Sequence, residues 1–277
     1  MTIRFWGTRG SIPSIDENTL TFGGNTSCVS IVDDGQILIL DGGSGIKRLG
    51  DSNYLKFFNR FHIFLTHYHL DHILGLGFFA PFFNPNNTIT IYGPAANSED
   101  LMKTLNKYLS PPLFPVRIKD FSAKVDFISM PNKNLKIGPF DIDSAFVCHP
   151  GPTLGYRVST KKYTIAYIPD HEVALGVNTL KPDEWVSGFS IAQNADILIH
   201  DAQYSVEEYE GKVGWGHSSY SQTIDFAKRT RVKKLYFFHH DPAHTDQRLQ
   251  ELHLIHTRDP LPFEAFLAKE ADTIELN

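Results

Sequence analysis

The chain has 277 residues, and a hydrophobic fraction of 42% is enough for a sizeable buried core. A net charge of -5 and a pI near 6.2 argue against a dedicated binder of long nucleic acid, because such proteins usually carry a basic surface. The two cysteines, Cys28 and Cys148, form no C-x-x-C pair, so the sequence suggests neither a disulfide scaffold nor a structural zinc ribbon. No apolar run is long enough for a signal peptide or a membrane span, so we expect a cytoplasmic protein without membrane contact.

Short apolar runs bounded by Gly, Pro and Asp predict a strand-rich chain with few helices. Glycine-rich loops at 7–13, 23–28 and 41–45 predict tight turns, the first two at the same end of a sheet. We expect one domain over residues 1–277, because no linker or composition break divides the chain. The predicted strands are 3–6, 29–32, 37–40, 61–65, 88–92, 127–130, 135–137, 140–147, 163–168, 197–200 and 235–238. The predicted helices are 46–58, a segment from 73 ending at Pro81, 98–109 with Ser98 as N-cap, and 246–271, which covers the sheet or meets a partner chain.

The densest chemistry follows the predicted strand 61–65, in the sequence Leu-Thr-His-Tyr-His-Leu-Asp-His. Three imidazoles and a carboxylate within six positions exceed what any packing role needs. Alternating spacing lets His67 and His69 point to one metal ion, while Asp71 and His72, a turn further on, are displaced toward a second. Two metal ions need about seven ligands, so the rest of the chain is expected to supply three more.

Three polar residues at the ends of later predicted strands can supply them. His171 could replace Asp170 as a ligand, and His240 could replace His239. His244 is expected on a surface loop. The phenylalanine-rich segment 73–83 is expected to pack in the core, with a lip over the site or a dimer contact as the alternative. The three strand-end residues are His149, Asp170 and His239.

The pattern H-x-H-x-D-H and the three later ligands resemble the signature of the metallo-β-lactamase superfamily. The resemblance implies an α/β (α+β) fold, built as a four-layer αββα sandwich. The sequence departs from the family where Pro169-Asp170-His171 replaces Gly-Asp-Thr. Histidine-rich mixed N/O ligation favours Zn²⁺, with Mn²⁺ as the alternative. The resemblance assigns His67, His69 and His149 to one metal ion, Asp71, His72 and His239 to the other, and Asp170 to a bridge between them.

A second resemblance narrows the branch. His217, followed by two serines, is similar to the His-Ser-Thr element of ribonuclease Z-like phosphodiesterases, in which the histidine faces the phosphate; a helix-start surface residue is the alternative. Asp201 stands where that branch places a carboxylate that orients this histidine, although a plain strand-end aspartate is also possible. Ribonuclease Z proper carries a long arm between the third metal histidine and the bridging aspartate. Only 20 residues separate His149 from Asp170, so the compact members, including cyclic phosphodiesterases, are the closer resemblance.

These features predict a binuclear metal-dependent hydrolase that attacks a small or cyclic phosphodiester with a metal-bridging hydroxide. Asp71 is expected to orient the nucleophile, a role that Asp170 could share. His217, kept protonated by Asp201, is expected to stabilise the phosphate or protonate the leaving group. The alternatives are a lactone or thioester hydrolase with the same metal centre, and a non-catalytic metal-binding protein. The expected partner is a small anionic substrate, and a homodimer is possible.

Overall fold

The apolar runs form β-strands, and every predicted strand overlaps an observed one. The structure, a computed structural model, describes residues 1–173 and 182–277. Within them the strands are β1 (Thr2–Gly7), β2 (Cys28–Asp33), β3 (Gln36–Leu40), β4 (Arg60–Phe64), β5 (Thr88–Gly93), β6 (Lys124–Ser129), β7 (Asn134–Ile137), β8 (Phe140–Phe146), β9 (Leu154–Ser159), β10 (Thr164–Ile168), β11 (Ile197–Asp201), β12 (Lys234–Phe238), β13 (Glu264–Leu267) and β14 (Thr273–Glu275).

Helices connect the strands in both halves of the chain. No helix in the described ranges is long and apolar enough to cross a bilayer. The α-helices are α1 (Gly45–Asp51), α2 (Leu70–Ile73), α3 (Ser98–Tyr108), α4 (Phe189–Ala192), α5 (Val206–Glu210), α6 (Tyr220–Thr230) and α7 (Asp246–His256). Short 3₁₀ turns occupy Asn53–Phe57, Leu76–Phe78, Ala80–Phe83, Ile118–Asp120 and Asp183–Trp185.

In the part of the chain that the structure describes, two sheets of seven strands stack on each other. The first has the order β14-β1-β2-β3-β4-β5-β6, and the second has the order β13-β12-β11-β10-β9-β8-β7. Strands β3 to β6 run parallel in the first sheet, as do β10 to β13 in the second. Loops after parallel strands collect at one sheet edge, which is where such folds place their sites.

The period-two alternation of the strands builds three apolar layers. In β3, Ile37 and Ile39 pack with α1 and α3 on the outside of the first sheet, whereas Leu38 and Leu40 pack between the sheets. On the second sheet, Leu198 of β11 faces the outer layer, which also holds residues of α4, α6 and α7. Helices therefore cover the outer face of each sheet, and the structure is the αββα sandwich that the family resemblance implies.

Several local predictions are wrong or need revision. The predicted helix 246–271 ends at His256, because Pro260 and Pro262 cannot continue it and the following residues pair as β13 with β12. Asn97, rather than Ser98, caps α3, since its side chain accepts a hydrogen bond from the Asp100 backbone.

One further prediction is wrong and another holds in part. His244 does not lie on the surface, because it is 6% exposed and its Nε2 is 3.0 Å from Glu208 Oε1. In the segment 73–83 only some phenylalanines are core residues: Phe79 and Phe82 are buried, whereas Phe78 and Phe83 are about half exposed.

Candidate metal centre

Both sheets contribute side chains to one pocket at the edge of the sandwich. His67 and His69 lie in the loop after β4, and α2 supplies Asp71 and His72. The second sheet supplies one residue each from the segments that follow β8, β10 and β12. These three are His149, Asp170 and His239.

Two groups of ligand-type atoms result. In the first cluster, defined as His67, His69 and His149, one nitrogen of each ring lies within 4.8 Å of the others, and His69 Nδ1 is 3.1 Å from His149 Nε2. The second cluster, which consists of Asp71, His72, Asp170 and His239, is fully buried. Its ligand atoms also lie within 4.8 Å of one another.

Asp170 joins the two clusters. Its Oδ1 is 3.0 Å from His72 Nε2 and 3.3 Å from His239 Nε2 in the second cluster. Its Oδ2 is 3.7 Å from His67 Nε2 and 3.8 Å from His149 Nε2 in the first. One carboxylate thus turns one oxygen toward each group, which is the geometry of a bridging ligand.

The pocket fits a pair of divalent cations. Tetrahedral Zn²⁺ with Zn–N bonds of roughly 2.1 Å holds its ligand atoms about 3.4 Å apart, and His72 Nε2 lies 3.4 Å from His239 Nε2 and 3.2 Å from Asp71 Oδ2. Among the described residues, no hydrogen-bond partner lies at the buried atoms His67 Nε2 and Asp170 Oδ1. Buried polar atoms without partners are costly unless a ligand satisfies them, so the donor set matches bound metal ions.

Asp41 fixes the orientation of one ligand, and the sequence analysis missed it. This fully buried carboxylate accepts hydrogen bonds from Thr66 N at 2.7 Å, Tyr167 Oη at 2.9 Å and His72 Nδ1 at 2.9 Å. Because a carboxylate can only accept here, His72 carries its proton on Nδ1 and turns the lone pair of Nε2 into the second cluster. The only sequence signal is a position directly after β3 and before Gly42-Gly43.

Other ligands are held in the same way. His149 Nδ1 donates to the Gly216 carbonyl at 2.8 Å, and Gln203 Oε1 lies 3.1 Å from His239 Nδ1. The Ser11 backbone N–H donates to Asp71 Oδ2 at 2.8 Å. A Cβ on Gly10 would lie 2.2 Å from His239 Nδ1, so the first glycine-rich loop needs glycine here to approach the site.

Charge coupling inside the pocket sets the protonation of these groups. Burial would raise the pKa of Asp71, but His72 and His239 hold that pKa well below its usual range. The same balance, with His239 as the main partner, lowers the pKa of Asp170. Burial and the neighbouring His72 lower the pKa of His67, which leaves this imidazole neutral as a metal ligand must be.

His217 lies against both clusters and is bound to Asp201. Its ring stacks on His239 with centroids 4.9 Å apart, and its Nδ1 donates to Asp201 Oδ2 at 2.7 Å. Burial alone would lower the pKa of His217, but Asp201 raises it to about 9. His217 could also complete a group with His149 and Asp170. Its Nδ1 is committed to Asp201, so Nε2 is the free nitrogen.

The two competing histidines lie outside both clusters. His171 Nδ1 is 2.9 Å from His200 Nε2, and His240 Nε2 donates to the Ala268 carbonyl at 2.8 Å. Burial, followed by the charge of a neighbouring side chain, lowers the pKa of both His171 and His240. The structure therefore brings together the seven residues that the sequence selects as candidate ligands, and it places the two alternatives elsewhere.

The stacked sheets and the histidine–aspartate edge site define a metallo-β-lactamase-fold protein. A family model described as "Beta-lactamase superfamily domain" matches residues 60–240, and the chain belongs to this superfamily. Its relatives include ribonuclease Z of Thermoplasma acidophilum, which is 26% identical over an alignment of 258 positions that covers 79% of this chain and 81% of the relative. Ribonuclease Z of Natronomonas pharaonis is 22% identical, with 100% of this chain and 98% of the relative covered.

Solved structures share the fold over the whole chain. The metallo-beta-lactamase fold protein YhfI from Bacillus subtilis superimposes with a TM-score of 0.72 at 19% identity, covering 99% of this chain and 98% of that one. The short form of human tRNase Z has a TM-score of 0.68 at 22% identity, and each chain is covered to 100%. The protein is thus similar to ribonuclease Z in sequence and in fold.

Proposed function

We propose that the protein is a binuclear metal-dependent phosphodiesterase that hydrolyses a small or cyclic phosphodiester. The observation that carries the proposal is the position of His217. The Nδ1–H of this histidine donates to a buried aspartate, and its ring stacks on His239 beside the proposed two-metal site. Such a histidine suits a reaction that creates an alkoxide leaving group, because it can protonate the departing oxygen. The similarity to ribonuclease Z, whose name denotes cleavage of a phosphodiester, supports the same reaction class.

The chain would hold two ions through its seven clustered ligands. We propose Zn²⁺, because five of these ligands are imidazoles, with Mn²⁺ as the alternative that the two carboxylates permit. When bound, divalent ions supply Lewis acidity to phosphate oxygens and lower the pKa of water. The residues in the proposed ligand set are His67, His69, Asp71, His72, His149, Asp170 and His239.

The protein's own groups position the reactants. Asp71 has one oxygen fixed by the Ser11 N–H, so its carboxylate is oriented to accept a proton from an attacking water. His217 would donate its Nε2 proton to the departing oxygen, and Asp201 would stabilise the charged imidazole before transfer. These assignments give Asp71 a catalytic role in addition to metal binding, and they give His217 a catalytic role and Asp201 a supporting one.

The segment between His149 and Asp170 supports a small substrate. It is folded as the antiparallel pair β9 and β10, closed by a short turn in which Thr160 N donates to the Tyr163 carbonyl at 2.8 Å. A long arm for gripping transfer RNA has no room in this tight hairpin. The net charge of -5 agrees with a substrate that needs no extended basic surface.

Hydrolysis of bis(p-nitrophenyl) phosphate by protein with counted metal ions tests the proposal. Turnover should vanish with chelator and return with Zn²⁺ or Mn²⁺, and a cyclic nucleotide should then be cleaved faster than an RNA with a 3′ extension. Faster cleavage of the RNA than of the cyclic nucleotide would refute the small-substrate proposal and indicate a ribonuclease. Two bound ions without turnover, together with cleavage in a lactone or thioester panel, would refute the phosphodiesterase proposal.

A further inference from the structure

A buried carboxylate that the proposed reaction does not use lies beside the site. Glu172, two residues after the bridging aspartate, is fully buried. Its Oε1 accepts hydrogen bonds from Gly214 N at 2.7 Å and Tyr209 Oη at 2.8 Å, and its Oε2 accepts one from Gly216 N at 2.7 Å. These three donors hold both oxygens of the carboxylate.

The loop that Glu172 holds contains two glycines in the left-handed region of backbone conformation. Gly214 and Gly216 have φ angles of 87° and 93°, in the region that favours glycine, and Trp215 between them is exposed. The two backbone N–H groups of these glycines converge on one carboxylate. Glu172 therefore connects both glycines of the loop to a segment outside it.

The same loop touches the metal centre at two points. The Gly216 carbonyl accepts the Nδ1 proton of His149, which aims His149 Nε2 into the first cluster. A Cβ on Gly216 would lie 2.3 Å from His149 Nδ1, so the backbone packs directly on the imidazole. The next residue is His217, whose Nδ1 is bound to Asp201.

Glu172 is itself rigidly placed. Its backbone N–H donates to the Cys148 carbonyl at 2.8 Å, directly beside His149. On its other side, Ser218 Oγ donates to the His171 carbonyl at 2.6 Å and lies 3.2 Å from Val173 N. The segment that carries Asp170 and the loop that carries His217 are thus fastened to each other at Glu172.

We propose that Glu172 is a positioning residue of the metal centre, acting through the Gly216 carbonyl on His149 and through the loop on His217. The inference rests on the proposed metal-dependent function, and it gives a role to the segment in which this chain departs from Gly-Asp-Thr. Because Asp41 orients His72 of the second cluster, loss of Glu172 should weaken the first cluster selectively.

The test is a calorimetric titration of Zn²⁺ into chelator-treated full-length protein. Glu172→Gln keeps the side-chain shape but turns an amide NH₂ toward a backbone N–H, so one donor loses its acceptor. We expect one of the two Zn²⁺ ions to bind about tenfold more weakly and the other to bind as in the wild type. The visible spectrum of Co²⁺ bound in place of Zn²⁺ should change for the weakened site.

Two variants separate positioning from general loss of stability. Tyr209→Phe removes one donor and leaves both backbone hydrogen bonds, so both affinities should stay within about threefold of wild type. Glu270→Gln removes another buried carboxylate, which accepts from Asn25 and Arg48 and touches no ligand, so it should lower the unfolding midpoint without selective metal loss. If Glu172→Gln does not fold, the shorter Glu172→Asp replaces it in the same titration.

Wild-type affinity for both ions in Glu172→Gln, or an equal loss at both sites matched by Glu270→Gln, would overturn the inference. The titration needs no substrate. A wild-type protein that binds two ions but cleaves no phosphodiester would therefore refute the proposed reaction and still leave the role of Glu172 tested.

Discussion

Replacing His217 by asparagine removes Nε2, the nitrogen proposed to protonate the leaving group. The side-chain amide of asparagine keeps a hydrogen-bond donor at the position of Nδ1. In the structure the Nδ1–H of His217 binds Asp201, which is fully buried and also accepts from the backbone N–H groups of His171 and Gln203. Alanine at position 217 would leave the Asp201 charge without its cationic partner, which costs roughly 3–5 kcal/mol for a buried pair. The amide of His217→Asn restores one donor, so most of that stability should remain.

The expected effect of His217→Asn falls on catalysis. A missing general acid typically costs a factor of about 10² to 10⁴ in rate, and a hundredfold loss corresponds to about 2.7 kcal/mol of transition-state stabilisation. The loss should be largest for a diester with an alkyl leaving group and smaller for bis(p-nitrophenyl) phosphate, because nitrophenolate departs without a proton. Metal content should stay at two ions per chain, since Nε2 of His217 is not in the proposed ligand set.

Steady-state kinetics on the two diesters, beside metal analysis of the same samples, check this reasoning. His217→Ala should lose the same activity and, in addition, unfold at lower denaturant. Alkyl-diester turnover by His217→Asn within about threefold of wild type, with both ions present, would remove His217 from the chemistry. Loss of one ion would instead make His217 a ligand.

Three further outcomes follow from the structure. Asp41→Asn should weaken the metal ion held by His72 by about 10- to 100-fold, measured by chelator competition, and unchanged affinity would contradict its orienting role. Zn²⁺ at about a hundred times its Kd should stabilise the fold by about 2.7 kcal/mol, and a thermal midpoint that ignores Zn²⁺ would speak against a preformed site. Burial lowers the pKa of His200 to about 4, and burial together with the charge of Arg9 lowers the pKa of His240 to about 3. In the folded chain each ring therefore stays neutral from pH 6.5 down to its own lowered pKa. Stability present above pH 6.5 should then be lost as the pH falls toward these values, by about 1.4 kcal/mol per pH unit for each histidine. In urea unfolding with chelator present, His200→Gln should flatten this slope, and an unchanged slope would exclude His200 as a cause.

The sequence was most informative where chemistry is concentrated in a few neighbouring positions. The spacing of His67, His69, Asp71 and His72 after an apolar strand predicted a two-ion site, and the strand-end rule selected three distant residues that the structure brings to it. Whether these residues bind metal, and whether residues 1–277 form one domain, stay predictions. The fold class that the family resemblance implies is confirmed. The strand positions were predictable because alternation of the kind seen in β3 depends only on local pattern.

The groups that orient the ligands were not predicted, for a physical reason. Asp41, Glu172 and Gln203 are ordinary residues in the sequence, and their partners lie far away along the chain. Their roles exist only once both sheets are packed. The wrong helix at 246–271 has a related cause, because pairing of β13 with β12 is a tertiary contact that local composition does not contain.

Four proposed ligands belong to the first sheet and three to the second, so bound ions would link the two sheets directly. The apolar layer between the sheets, which includes Leu38, Leu40, Ile197 and Ile199, sets the distance between the two halves of the site. A methyl group deleted there, far from any histidine, would shift one half of the site against the other. A substitution in this central layer should therefore weaken metal binding at the edge of the sandwich before it reduces the content of secondary structure.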